Sequence, residues 1–141
     1  MALVDHTIAA SLLRRLHHTQ GDFYSGGDDV GLRTLLTKDV AWHVPGTSPI
    51  AGDYHGYDQV LGYFTHRRDL ANSTMQMHPR ELLVGDDNHI ASVTDGTATI
   101  GGAEHAWSTV GLYRIADGRI AECWLLPLDP ITFDRAWSAT D

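Results

Sequence analysis

The apolar periodicity of the chain changes once, near Ser73, and that change restricts the fold more than any other feature. Before it, apolar residues recur at spacings of three and four. Ile8, Leu12, Leu16, Thr19 and Phe23 make one stripe of a first helix, with Asp5 as its expected cap and Gly26-Gly27 as its end. A short second helix is expected from Asp28 or Asp29, turning Leu32, Leu35 and Leu36 inward. Val40 to Val44 reads as a strand stopped by Pro45-Gly46, and the segment Pro45 to Gly56, with two prolines and three glycines, as an irregular loop. A third helix fits Tyr57 to about Ala71, with Val60, Leu61, Phe64 and Leu70 as its apolar side.

After Ser73 the pattern is that of strands. Four runs, at about 73–85, 89–100, 104–115 and 119–127, are broken by Asp86-Asp87-Asn88, Gly101-Gly102 and Asp117-Gly118. Asp-Gly between apolar runs is a strong hairpin signal, and connections this short imply an antiparallel meander. The tail returns to helix, with Asp129 as cap, Pro130 in the first turn, and Phe133 and Trp137 four residues apart. At 141 residues the chain has room for one core, so residues 1–141 form a single α+β domain. Three N-terminal helices cover one face of a small sheet only if the sheet curls around them. The expected architecture is therefore a cone-shaped curved antiparallel sheet with a short C-terminal helix and a conical space inside, where small-molecule sites form.

Composition narrows the function. Ten Lys+Arg against 18 Asp+Glu give a formal net charge of −8, which argues against nucleic acid and anionic membrane partners. No apolar run is long enough for a membrane span, and the first residues lack the basic and apolar regions of a signal peptide. A single cysteine, Cys123, excludes an intrachain disulfide and suits the cytoplasm. Nine histidines stand out, yet none has the spacing of a metal motif, so neither a metal nor another cofactor is expected.

The element order and several local motifs resemble the nuclear-transport-factor-two-like superfamily, and within it the SnoaL-like, ketosteroid-isomerase-like branch. The motifs are Trp42-His43-Val44-Pro45-Gly46, Pro49-Ile50-Ala51-Gly52, His55-Gly56-Tyr57-Asp58, Leu112-Tyr113-Arg114-Ile115, Asp117-Gly118-Arg119-Ile120 and Phe133-Asp134-Arg135-Ala136-Trp137. The resemblance implies the cone fold and a small-molecule pocket. The positions at which family enzymes carry a catalytic carboxyl hold Val44, Gly111 and Leu125 here. The Arg-x-Asp pair of the family's epoxide hydrolases has no counterpart; the nearest acid is Asp95, after Val93-Thr94.

Strand parity sorts the polar groups that remain. If Gly111 faces the pocket, so do His105, Trp107, Thr109 and Tyr113; if Leu125 does, so does Cys123. The same rule puts Glu122 and Trp124 on the outer face, with His43 beginning there unless the Pro45 loop bends it back. Three candidates for proton transfer follow: His43, Asp95 and His105. Each has a plainer reading, as a hydrogen-bonded structural histidine, an exposed acid at a bulge, and a solvated histidine at the mouth. Trp42, Tyr54, Tyr63, Trp107, Tyr113 and Leu125 are the expected lining for a hydrophobic small molecule, or simply core. His6, His17, His18, His66 and His89 are expected on helix surfaces or turns, and His78, before Pro79, at an edge or bulge.

Two functions fit. One is a cofactor-free isomerase, dehydratase or cyclase acting on a hydrophobic metabolite by proton transfer; the other is a non-catalytic binding or dimerising domain. In either case a homodimer through the outer sheet face is expected, formed by Ile120, Glu122, Trp124, Val110 and Leu112.

Overall fold

A computed structural model describes residues 6–140. The expected cap Asp5 lies outside the described residues. The elements run α1 (His6–Tyr24), α2 (Val30–Leu35), β1 (Leu36–Val44), β2 (Gly52–His55), α3 (Tyr57–Leu70), β3 (Gln76–Val84), β4 (His89–Ile100), β5 (Ala103–Ala116), β6 (Arg119–Pro127) and α4 (Pro130–Trp137). The six strands form one curved sheet in the order β2-β1-β6-β5-β4-β3.

Local chemistry sets most boundaries. Gly26, at φ 108°, ends α1 in a backbone region open to glycine. The Asp28 carboxylate accepts from the Val30 N–H (3.1 Å) ahead of α2. The Asp129 carboxylate accepts from the Thr132 N–H (3.1 Å), and Pro130 starts α4. From α4, Asp134 accepts two bonds from the Thr47 N–H and so ties down the loop after β1.

The sheet differs from the expected meander in two respects. β3 to β6 are antiparallel, but β1 pairs with β6 in parallel, so the sheet is mixed. A sequence pattern shows the hairpins and not where a distant N-terminal strand docks. The expected loop Pro45–Gly56 also contains β2, which pairs antiparallel to β1 with Ala41 opposite His55. This edge strand, Gly-Asp-Tyr-His, has no apolar alternation to reveal it.

The concave face of the sheet and the three N-terminal helices enclose one core, joined by α4 through Phe133 and Trp137. α1 buries Ala9, Leu12, Leu13, Leu16, Gln20, Phe23 and Tyr24. Ile8, placed in the apolar stripe by spacing, is 54% exposed, because the buried face is rotated toward Ala9 and Leu13. On α3 the buried positions are Val60, Tyr63, Phe64 and Arg67, while Leu61 and Leu70 are half-buried.

Two bulges adjust the parity. One lies at Arg80, beside the Pro79 that the sequence marks as an edge or bulge. In the other, Ile115 pairs with Ile120 and Arg114 with Glu122, which leaves Ala121 as the extra residue. Ile120 and Cys123 therefore both point inward and are fully buried. This corrects the expectation that Ile120 sits on the outer face beside Glu122 and Trp124.

Candidate functional site

A small internal cavity of about 30 Å³ lies between the concave sheet face and helices α1 and α3. Four of the six expected lining residues face it: Trp42, Trp107, Tyr113 and Leu125. Tyr63 stands behind Trp42, with ring centroids 6.5 Å apart. Tyr54, on β2, stacks on Tyr63 at 4.8 Å and donates its hydroxyl to the Ile50 carbonyl (2.7 Å). Tyr54 therefore supports the wall from outside. Gly111 shapes the cavity by lacking a side chain. A Cβ there would meet the Tyr113 hydroxyl at 2.7 Å, so the bare backbone lets the phenol lie flat on the sheet.

The helices add the polar groups. Arg67, 5% exposed, enters the cavity from α3. Its guanidinium lies among aromatic faces, 5.0 Å from the Trp137 ring centre, 5.3 Å from Tyr63 and 5.6 Å from Tyr24. Its one hydrogen bond is a long one, from Nη1 to the Tyr24 hydroxyl (3.5 Å), and Nε has no acceptor. No carboxylate pairs with it among the described residues. Burial works against its charge. The guanidinium keeps its proton even so. Burial pushes the Tyr63 and Tyr113 hydroxyls and the Cys123 thiol upward, so all three are neutral.

His17 comes from α1, where sequence reasoning had placed it among the solvated histidines. It lines the same cavity, together with Gln20 one turn on. Desolvation lowers its pKa to about 4, against a smaller upward push from a hydrogen bond to the Leu13 backbone. It is therefore a neutral imidazole at pH 7. The signal for it was available. The helical stripe Leu13, Leu16, Gln20 runs past position 17, and His17 borders that stripe while His18 points to solvent. Arg67 likewise completes the i, i+3, i+4, i+7 series Val60, Tyr63, Phe64, Arg67.

The three expected proton-transfer residues lie away from this cavity. His43 and Asp95 sit on the outer sheet face, because their strand neighbours Trp42, Val44, Thr94 and Gly96 face inward. The His43 ring is held between carboxylates, with Nδ1 2.7 Å from Asp53 and Nε2 2.6 Å from Glu122. It stacks on Trp124 at 5.7 Å, and Arg114 lies 3.4 Å from the other Glu122 oxygen. Burial works to lower its pKa; the two carboxylates outweigh burial and raise it. They flank opposite ring nitrogens and so do not converge on one point. Asp95 accepts from Ser108 (2.6 Å) and pairs with Arg80 (3.0 Å), two partners that together hold its carboxyl below the usual range. His105 does lie on the concave face, as parity required. It lines a separate surface depression with Thr74, Gln76 and Thr97, and its Nε2 lies 3.2 Å from the Ile100 carbonyl.

The fold has counterparts among known proteins. The SnoaL-like domain family matches residues 18–123. The chain belongs to this SnoaL-like family. An uncharacterised protein of Mycobacterium tuberculosis is 25% identical over 115 residues, covering 82% of this chain and 88% of its own. Among solved structures, Bal32a from a soil-derived mobile gene cassette superimposes with a TM-score of 0.81 at 24% identity, over 92% of this chain and 98% of that one. An NTF2-like protein from Burkholderia xenovorans gives 0.76 at 16% identity, over 94% and 98%. A candidate SnoaL-like polyketide cyclase from Jannaschia gives 0.74 at 16% identity, over 96% and 94%. These likenesses show the nuclear-transport-factor-two-like cone. The expected superfamily and its SnoaL-like branch are borne out.

Proposed function

We propose that this SnoaL-like protein is a cofactor-free enzyme that moves a proton on a hydrophobic organic metabolite, as an isomerase, dehydratase or cyclase does. The observation that carries the reading is His17, a desolvated imidazole that keeps its lone pair at pH 7 and lines a cavity walled by Trp42, Trp107 and Tyr113. A neutral imidazole accepts a proton from a carbon beside a carbonyl and returns it at a second position, or to a departing hydroxyl. The Trp42 indole N–H is buried without a partner on a residue that lines the cavity, which makes it a donor for a substrate oxygen as negative charge develops on it. The description of the Jannaschia neighbour as a candidate polyketide cyclase supports a reaction of the cyclase type. His43, Asp95 and His105 have no part in this reading, since none lines the cavity.

Deuterium exchange tests it without knowledge of the substrate. A panel of hydrophobic ketones is incubated with the protein in D2O and followed by proton NMR. Exchange beside the carbonyl is expected with at least one ketone, falling about 100-fold or more in His17→Gln. Binding without exchange across the panel would instead favour the non-catalytic reading.

We also propose a homodimer through the outer sheet face. Val93, Val110, Leu112 and Trp124 are half-buried there and Leu126 is 48% exposed, a sizeable apolar surface for a single chain. Among the described residues no helix is long and apolar enough to cross a membrane. The single free thiol, Cys123, supports a cytoplasmic location.

A further inference from the structure

The charge balance around the cavity is unequal. Arg67 brings one positive charge into a space whose other ionisable neighbours, His17, Tyr24, Tyr63, Tyr113 and Cys123, are all neutral. A guanidinium offers five N–H donors, and a buried one is ordinarily matched to a carboxylate. Here Nη1 makes one long bond and Nε makes none. The Trp42 and Trp137 indole N–H groups are also buried without acceptors. Both tryptophans are tied to Arg67, Trp42 by lining the same cavity and Trp137 by lying under the guanidinium. The region thus holds an excess of donors and of positive charge, which is the complement of an anionic oxygen.

We infer that the ligand of this cavity is a monoanion, an aromatic or polycyclic acid whose ionised carboxylate, enolate or phenolate oxygen pairs with Arg67. This rests on the cavity being the small-molecule site and adds the class of substrate. At about 30 Å³ the cavity now admits one water-sized body, so the ligand enters by displacing side chains. Met75 and Met77 line it, and their unbranched thioether chains yield at low cost. The ligand's charge has a second consequence. An anion placed beside His17 favours its protonated form and brings the imidazole closer to the range of a working base.

The test is calorimetric titration of the full-length protein at about pH 8 with three probes of similar shape: benzoate, 4-nitrophenolate and the neutral benzamide. At least one anion is expected to bind about tenfold or more tightly than benzamide, and which one does identifies the acid as a carboxylic acid or an acidic enol. The preference is expected to vanish in Arg67→Met and to survive in part in Arg67→Lys. The NMR titration of His17 is expected to move upward when the preferred anion is bound. Equal binding of all three probes would overturn the anionic class and leave the cavity as the site. Binding of none would overturn both. A preference retained in a folded Arg67→Met protein would overturn the assignment to Arg67, and the wild-type comparison stands even if that variant does not fold.

Discussion

His17 of α1 and Arg67 of α3 line one cavity, the first neutral and the second charged, and among the described residues no carboxylate lines it with them. Burial opposes charge at both. It removes the proton from an imidazole that can lose it, and it leaves charged a guanidinium that cannot.

The first prediction concerns pH and stability. His17 is neutral in the folded chain down to about pH 4, whereas in the unfolded chain it takes up a proton near 6.5. Between these values the unfolded chain binds more protons, so stability falls as pH drops from about 6.5 to about 4. The full effect is at most about 3 kcal/mol. Urea unfolding across this range is expected to show that loss in the wild type and a shallower slope in His17→Gln.

His43 is expected to behave in the opposite sense. Its pKa is raised by Asp53 on β2 and Glu122 on β6, with Arg114 of β5 on the far side of Glu122. The stability it contributes is therefore present below about 6.5 and lost as pH rises through its folded pKa. NMR titration is expected to give a midpoint above that of a free histidine, lowered in Glu122→Gln. His43→Ala is expected to leave ligand binding in the cavity unchanged.

Gly111→Ala tests how the cavity is shaped. The new Cβ would lie 2.7 Å from the Tyr113 hydroxyl, so the phenol must shift toward the cavity. Overpacking of this kind costs about 1–3 kcal/mol. Thermal unfolding is expected to report that loss, and calorimetry a weaker ligand.

Trp137 measures what α4 contributes. It is fully buried, 5.2 Å from Trp107, and lies under the Arg67 guanidinium. Trp137→Ala is expected to cost about 3–5 kcal/mol in denaturant unfolding.

The dimer is open to a direct check. Sedimentation at micromolar concentration is expected to give twice the 15.5 kDa chain mass, reverting to the single mass in Trp124→Glu. A wild-type monomer would contradict the proposed interface.

Where two periods alternate cleanly, the fold was legible in the sequence. The four strands after Ser73 appear within a few residues of their expected limits, because turn dipeptides and side-chain alternation are local signals. The parallel seam between β1 and β6 was not legible, since no local pattern states which distant strand a strand joins. The wall residues Trp42, Trp107, Tyr113 and Leu125 follow from parity once the family resemblance sets which face is inward. The polar groups do not. His17 reads as a surface residue because its type favours water, and nothing in the sequence reading singles out Arg67, although both helical positions border a buried stripe. His43 and Asp95 drew attention by their chemistry, while strand parity already started His43 on the outer face.

The central claim is that the cavity between α1, α3 and the concave sheet face is where the ligand sits. A crystal structure with the anion preferred in the calorimetric comparison tests it most directly. The account requires ligand density in that cavity, with an anionic oxygen on Arg67, His17 within hydrogen-bonding reach and Met75 or Met77 displaced. Density at the His105 depression or beside His43 on the outer face, with the inner cavity unchanged, would contradict it.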